Sequence, residues 1–303
     1  MGVFERMLET QALMFLYILI GMAIVKAKIL KPEGRSSFIG LLINVTLPCM
    51  ILHAFEQEAG LSALVSASRV LLISAICCMA AWGLSKVLWR GKSGQRRAVL
   101  EFATMFSNAG NAGLPIISLV FGDQGVFYAS FFLIPLRILM WTLGLSLFVQ
   151  QTEGRSRWKA LLLNPSLLVV FIGIPMMLFG IRLPGVFTKA LSNVGAMTGP
   201  LSMMIIGASL ADAHPRDMLD RDAWMLTAVR LVILPLTAMA VLRLVGVETL
   251  IWQVAVTLIA MPAAANTAIL SEMYGHDYTF AARCVVVSTV LSLITVPLLA
   301  LLY

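Results

Sequence analysis

Apolar residues run through this chain in blocks of about 20 positions separated by short polar connections. A helix needs about 20 mostly apolar residues to cross the hydrocarbon core of a bilayer. Read at that length, the pattern predicts ten membrane segments, over about 8–26, 36–54, 62–88, 97–120, 125–149, 160–181, 186–210, 223–244, 250–272 and 279–302. Short alternating strands with turn signals are absent, which argues against a membrane barrel. The connections leave no room for a soluble domain. The expected fold class is an all-α membrane protein.

Composition supports the bilayer as solvent. Of 303 residues, 60% are apolar and 12% are charged, against roughly 25% charged in a soluble domain. The net charge of +7 is distributed unevenly. One alternate set of connections holds 14 basic residues: Lys26, Lys28, Lys31, Arg35; Lys86, Arg90, Lys92, Arg96, Arg97; Arg155, Arg157, Lys159; and Arg216, Arg221. The opposite set holds four, Arg6, Arg182, Lys189 and Arg243. Lys and Arg accumulate on the cytoplasmic side, so both termini are expected to face outward. The positive charge is then a topology signal, and nucleic acid is not an expected partner. The N-terminus does not read as a cleavable signal peptide, because its basic cluster follows the apolar run. Cys49, Cys77, Cys78 and Cys284 lie in apolar segments without metal-like spacing, so they read as small hydrophobes, and no metal or cofactor is expected.

Two polar landmarks resemble each other, FGDQGVFYAS at 121–130 and YGHDYTFAAR at 274–283. Gly122 and Gly275 are 153 positions apart. That shift lays segments 1–5 over segments 6–10, and five is odd, so the second copy must enter the membrane from the other side. This predicts two inverted five-helix repeats, 1–150 and 151–303, an architecture of secondary transporters.

Segments 4 and 9 are interrupted. Segment 4 carries SNAGNAGLPII at 107–117, and segment 9 carries MPAAANTAIL at 261–270. Proline removes a helix hydrogen bond and clashes with the preceding turn, and polar backbone freed in hydrocarbon costs several kcal/mol unless it is satisfied. Pro115 and Pro262, with Gly113, are therefore expected to set breaks that border a polar cavity. Asn108, Asn111, Asn266 and Thr267 accompany them as candidate caps of the restarted helices and as substrate-binding groups. Two restarted helices would bring two positive dipole ends to mid-membrane, a site suited to a carboxylate. Pro135, Pro175, Pro235 and Pro297 read as simple kinks.

A third interruption, INVTLPCMILH at 43–53, pairs roughly with VGAMTGPLSMMIIGASL at 194–210. There Asn44 and Pro48 bend a helix or border the cavity. His53, beside Glu56 and Glu58, reads as a surface group rather than a proton relay. Charges inside the membrane are functional candidates. Arg137, Arg230 and Arg283 are read as structural, snorkelling or paired with Glu101 or Glu272, and Arg137, the deepest, is the candidate for attracting an anion.

At these residues the chain resembles the auxin efflux carrier family, which includes bacterial malonate and malate carriers and plant PIN-type carriers. The matches are NVTLPCMIL (44–52), SNAGNAGLPI (107–116), GPLSMMIIGASL (199–210) and MPAAANTAILSEMYG (261–275). The resemblance implies inverted repeats whose broken, crossing helices are the fourth and ninth. It implies a scaffold and dimer interface from segments 1, 2, 6 and 7, and a transport unit of segments 3–5 and 8–10 that slides like an elevator. In PIN-type carriers an asparagine seven residues before the segment 4 proline contacts the substrate carboxylate, and that position here is Asn108. Asn266 occupies the asparagine position of bacterial members in segment 9. The large cytoplasmic loop of many plant members is absent.

The expected function is secondary transport of a small organic anion, with the bilayer and a second copy of the chain as partners and a coupling proton or sodium ion left open. The alternatives are a sodium-coupled symporter resembling the bile-acid carriers and a non-transporting membrane sensor of a carboxylate. An enzyme is not expected: the chain has no paired intramembrane Asp, no Gly-x-Ser-x-Gly with a usable His and no HExxH.

Overall fold

The computed structural model describes residues 3–30, 32–57, 61–148, 165–211 and 220–303. Lys31, Glu58, Arg155, Arg157, Lys159 and Arg216 lie outside the described residues, as does the start of the segment expected at 160–181. The described residues are helical, with a single isolated bridge where extended backbone meets, Ser107 opposite Ala263.

In chain order the helices are α1 (Val3–Lys26), α2 (Pro32–Leu41), α3 (Leu47–Gln57), α4 (Leu61–Leu88), α5 (Gly94–Met105) and α6 (Leu114–Leu139). They continue as α7 (Pro165–Leu178), α8 (Gly185–Ala196), α9 (Thr198–Leu210), α10 (Arg221–Ala228), α11 (Leu234–Leu244), α12 (Thr249–Ile259), α13 (Asn266–Met273) and α14 (Tyr278–Ala300). Among the described residues, five helical runs are long and apolar enough to cross a membrane: Ser37–Glu56, Val65–Leu88, Ala109–Gly144, Arg221–Leu244 and Tyr278–Ala300. Phe15–Lys26 and Thr249–Ile259 are shorter apolar helices. Of the five segments that do not appear as such runs, segment 6 begins outside the described residues, and segments 4 and 9 have a local cause. Segment 9 is divided into α12 and α13, and segment 4 into α5 and the start of α6, so neither makes an unbroken helix of crossing length.

Single π turns recur ahead of a Leu-Pro pair. Leu42–Thr46 precedes Pro48, Ala109–Gly113 precedes Pro115, and Val229–Ile233 precedes Pro235. A proline ring collides with the carbonyl four residues earlier, and in each case that carbonyl lies inside the π turn. The wider turn displaces it, so the helix continues past the proline. Pro235 is therefore more than a simple kink, and Pro115 lies in the first turn of α6, well after the point where the chain unwinds.

α1 and α9 cross with their backbones in contact. A Cβ at Gly21 would stand 2.1 Å from the Met204 carbonyl oxygen, and one at Gly207 would stand 2.0 Å from that of Ile18. Small residues at such crossings let membrane helices approach closely. On the side expected to be cytoplasmic, charges join α4 and α5 to α10. Glu101 accepts from Lys86 Nζ at 2.5 Å and Arg97 Nε at 2.7 Å, so it is not the partner of an intramembrane arginine. Lys92 bonds Asp222 at 2.7 Å, and Arg96 bonds Asp220, which also caps α10 through the Asp222 and Ala223 N–H groups. At the other end of α3, Glu56 Oε1 accepts from Leu183 N–H at 3.1 Å and Thr188 Oγ1 at 2.6 Å. His53 stands 3.9 Å from Glu56 and is half-buried beside a cavity of about 490 Å³.

Gly207→Val should separate α1 from α9, since its branched side chain meets a backbone carbonyl that has no room to move. Overpacking of this kind costs about 1–3 kcal/mol or more, which should appear as a lowered unfolding temperature of the purified protein in detergent, with Gly199→Ala as the tolerated control.

Candidate functional site

The site is built where two unwound segments cross. α5 ends at Met105, and Phe106 is extended at φ −112° and ψ 118°. α12 ends at Ile259, and 262–264 run through the gap before α13. The two segments bond to each other in place of their own helices. Asn108 N–H donates to the Pro262 carbonyl at 2.8 Å, and Ala264 N–H donates to the Phe106 carbonyl at 3.0 Å. Side chains satisfy further groups: Ser107 Oγ donates to the Leu258 carbonyl at 2.9 Å, and Ala263 N–H donates to Ser288 Oγ at 3.1 Å. Gly113 is buried where the crossing is tightest, since a Cβ there would lie 2.8 Å from Leu258 Cδ2. Break and proline are thus separate: in segment 4 the chain unwinds at 106–108, and Gly113 and Pro115 belong to the restarted helix, whereas Pro262 lies in the unwound strand itself.

One further residue closes this backbone network. Arg230, 2% exposed, sits in the π turn before Pro235. Its Nη1 donates to the Thr104 carbonyl at 2.9 Å, Nη2 to that of Ile259 at 3.0 Å, and Nε to that of Met261 at 3.3 Å. Those of Thr104 and Ile259 belong to the C-terminal ends of α5 and α12, whose last carbonyls lack a partner within the helix, and that of Met261 lies in the unwound segment just after α12. An arginine within an apolar segment, four residues before a Leu-Pro pair, was the available signal in the sequence, though nothing local says which carbonyls it meets.

On one face of the crossing lies a cavity of about 270 Å³. Asn108, Gly110 and Asn111 line it from the start of one restarted helix, and Ala264, Ala265 and Asn266 from the other. Leu133, Leu136, Arg137 and Met140 form a second wall, and Ile43 and Leu47 a third. The Arg137 guanidinium passes close over Gly110, where a Cβ would lie 3.3 Å from Nη2. The amide side chains are not spent on capping. Asn108 makes no side-chain cap bond to its restarted helix, and Asn266 Nδ2 donates to the weak acceptor Met140 Sδ at 3.2 Å. The structure thus brings Asn108, Asn111, Asn266 and Arg137 onto one cavity.

It does not bring all the expected residues there. Asn44 turns back to the Gly40 carbonyl at 2.9 Å along its own helix, and Pro48 is buried, so their span offers Ile43 and Leu47 to the cavity instead. A side chain at Asn44 can satisfy itself four residues back, and does so on the exposed face. Thr267 is fully buried and is not a lining residue. Its hydroxyl has no hydrogen-bond partner among the described residues. A separate apolar cavity of about 340 Å³, between α4 and α11, reaches Ser107 and Arg230 from behind. Among the described residues no group of three or more His, Cys, Asp or Glu could hold a metal ion.

The family described as Membrane transport protein matches residues 6–300. Two archaeal relatives are similar over most of their length. An uncharacterized transporter of Methanothermobacter thermautotrophicus is 27% identical over 296 residues, 96% of this chain and 96% of the relative. An uncharacterized transporter of Methanocaldococcus jannaschii is 25% identical over 283 residues, 89% of this chain and 90% of the relative.

Ser288→Ala removes the acceptor of the Ala263 N–H in a buried crossing. A stranded buried donor costs about 1–3 kcal/mol, so the variant should unfold at lower temperature, while Ser146→Ala, at an exposed hydroxyl bonded within its own helix, should not.

Proposed function

Because the chain belongs to the Membrane transport protein family, of auxin-efflux-carrier type, we propose that it is a secondary transporter for a small organic anion, a mono- or dicarboxylate. The observation that carries this reading is the meeting of two helix N-termini and three carboxamides on one cavity. Each N-terminus presents the equivalent of about half a positive charge, and the unpaired N–H groups of a first turn suit an anion. Asn108, Asn111 and Asn266 donate through Nδ2 to carboxylate oxygens, and Arg137 supplies a full positive charge at the wall. The cavity, at about 270 Å³, is smaller than the roughly 300–1,000 Å³ that holds drug-sized ligands, which favours a short substrate. Thr267, also expected among the binding groups, is assigned a place behind Asn266.

The architecture we propose around this site is ten spans in two inverted repeats, 1–150 and 151–303. Its support is the pair of crossing breaks together with Gly122 and Gly275. These are 153 apart and both left-handed, at φ 64° and 67°, where each restarted helix turns into the next span. Segments 1, 2, 6 and 7 form a scaffold through which the chain dimerises, and segments 3–5 and 8–10 form the unit that carries the anion by rigid-body movement. Ile43 and Leu47 fit that division. An apolar scaffold wall slides past a polar cavity without hydrogen bonds to break. The basic connections face the cytoplasm, and both termini lie outside the plasma (inner) membrane.

The test is uptake of labelled short carboxylates by proteoliposomes, with counterflow driven by unlabelled substrate. A carrier gives counterflow and a sensor gives none. Asn108→Ala combined with Asn266→Ala should abolish uptake and leave the unfolding temperature nearly unchanged, because neither amide supports the fold. Each bond to a charged oxygen is worth about 1.5–3 kcal/mol, so either single variant should weaken carboxylate binding by roughly 10- to 100-fold. Normal transport by the double variant removes the site assignment.

A further inference from the structure

The two half-helices that end at the crossing, α5 and α12, direct their negative ends at one point. Each end carries the equivalent of about −0.5 charge, so together they present about one unit of negative charge in a buried place. Arg230 meets it with one positive charge and with donors to three of the carbonyl oxygens, those of Thr104, Ile259 and Met261, at 2.9–3.3 Å. Its partners are main-chain carbonyls of both broken segments, not a carboxylate. Convergent carbonyl oxygens with unsatisfied negative charge are what a bare monovalent cation seeks in unwound membrane helices. We propose that Arg230 is a built-in cation occupying the place of a bound monovalent ion, so that the crossing is complete without sodium or potassium.

Two consequences follow, the second of which rests on the transporter reading. First, the negative ends are neutralised while the positive ends facing the cavity are not, and the site keeps a net positive bias that selects anions. Second, carboxylate movement needs no inorganic cation at the crossing. The position of Arg230 is suited to serving both halves. Residue 230 minus 153 is Cys77, which lines the same rear cavity, so one arginine serves a place where the two halves meet and the matching position carries no charge. The guanidinium is planar with five fixed donors and stays charged, which a compact ammonium does not reproduce against three separate carbonyls.

The test reads the protein without its substrate. Purified full-length wild type is unfolded thermally in sodium, potassium and N-methylglucamine chloride at equal ionic strength, and the three unfolding temperatures should coincide. Arg230→Ala should unfold several degrees lower, and millimolar guanidinium, entering through the rear cavity, should recover most of that loss in a saturable way, while urea at equal concentration should not. Arg230→Lys should fall between wild type and the alanine variant. Saturable stabilisation of the wild type by sodium over N-methylglucamine overturns the proposal, whether or not the alanine variant folds. Arg230→Lys indistinguishable from wild type, or a folded Arg230→Ala indifferent to guanidinium, also overturns it. Failure of every tested carboxylate to enter proteoliposomes would count against the transporter reading and leave these thermal results standing.

Discussion

Two helices that stop in the middle of a membrane protein leave main-chain carbonyls and N–H groups where water cannot reach them, and the rest of this structure is arranged around that problem. Each unpaired group would cost several kcal/mol in hydrocarbon. The breaks solve this by facing each other. Asn108 and Ala264 donate across the gap to Pro262 and Phe106, Ser107 and Ser288 add hydroxyl bonds, and Arg230 takes three remaining carbonyls. Neither break could exist without the other. That mutual dependence is why the interruptions come as a pair and why the residues between them are small: Ala109, Gly110, Ala112, Gly113, Ala263, Ala264.

Electrostatics follows from the same geometry. The crossing sorts helix ends by sign, with the carbonyl ends gathered at Arg230 and the N–H ends opened to the cavity. In the function we propose, an anion is held there by oriented backbone and neutral amides, with Arg137 adding a full charge at the wall. The side chains that contact the cavity from the α2–α3 span are apolar, Ile43 and Leu47. The polar groups come from the two breaks and from Arg137 on the second wall.

Rigid support surrounds the crossing. Three Leu-Pro pairs each follow a π turn, at 47–48, 114–115 and 234–235, and the third turn carries Arg230 into position. Without the extra residue in that turn, the proline would collide with the carbonyl of Leu231 and the arginine would leave the helix at a different angle. Buried aromatic rings of Phe55, Phe127 and Phe131, with centroids 5.1–5.6 Å apart, lock α3 to the span that continues from the restarted helix.

Much of this was legible in the order of residues. The apolar blocks, the uneven distribution of Lys and Arg, the motifs at 107–116 and 261–275 and the spacing of Gly122 and Gly275 specify membrane helices, two interruptions and amides at each of them. They do so because hydrocarbon imposes length and polarity on every crossing segment, a constraint that acts locally along the chain. Other assignments needed the packed chain. Nothing near Asn44 distinguishes it from Asn108, yet one bonds its own helix and the other meets the cavity. Pro115 marks segment 4 as broken, while the chain unwinds at 106–108, and Glu101 pairs with Lys86 and Arg97 instead of an intramembrane arginine. Arg230 was visible as a buried charge, but its partners lie 29 to 126 positions away. Local composition determines where the backbone loses its own hydrogen bonds. Only tertiary structure decides which distant group replaces them, because that depends on which segments lie within about 3 Å of one another.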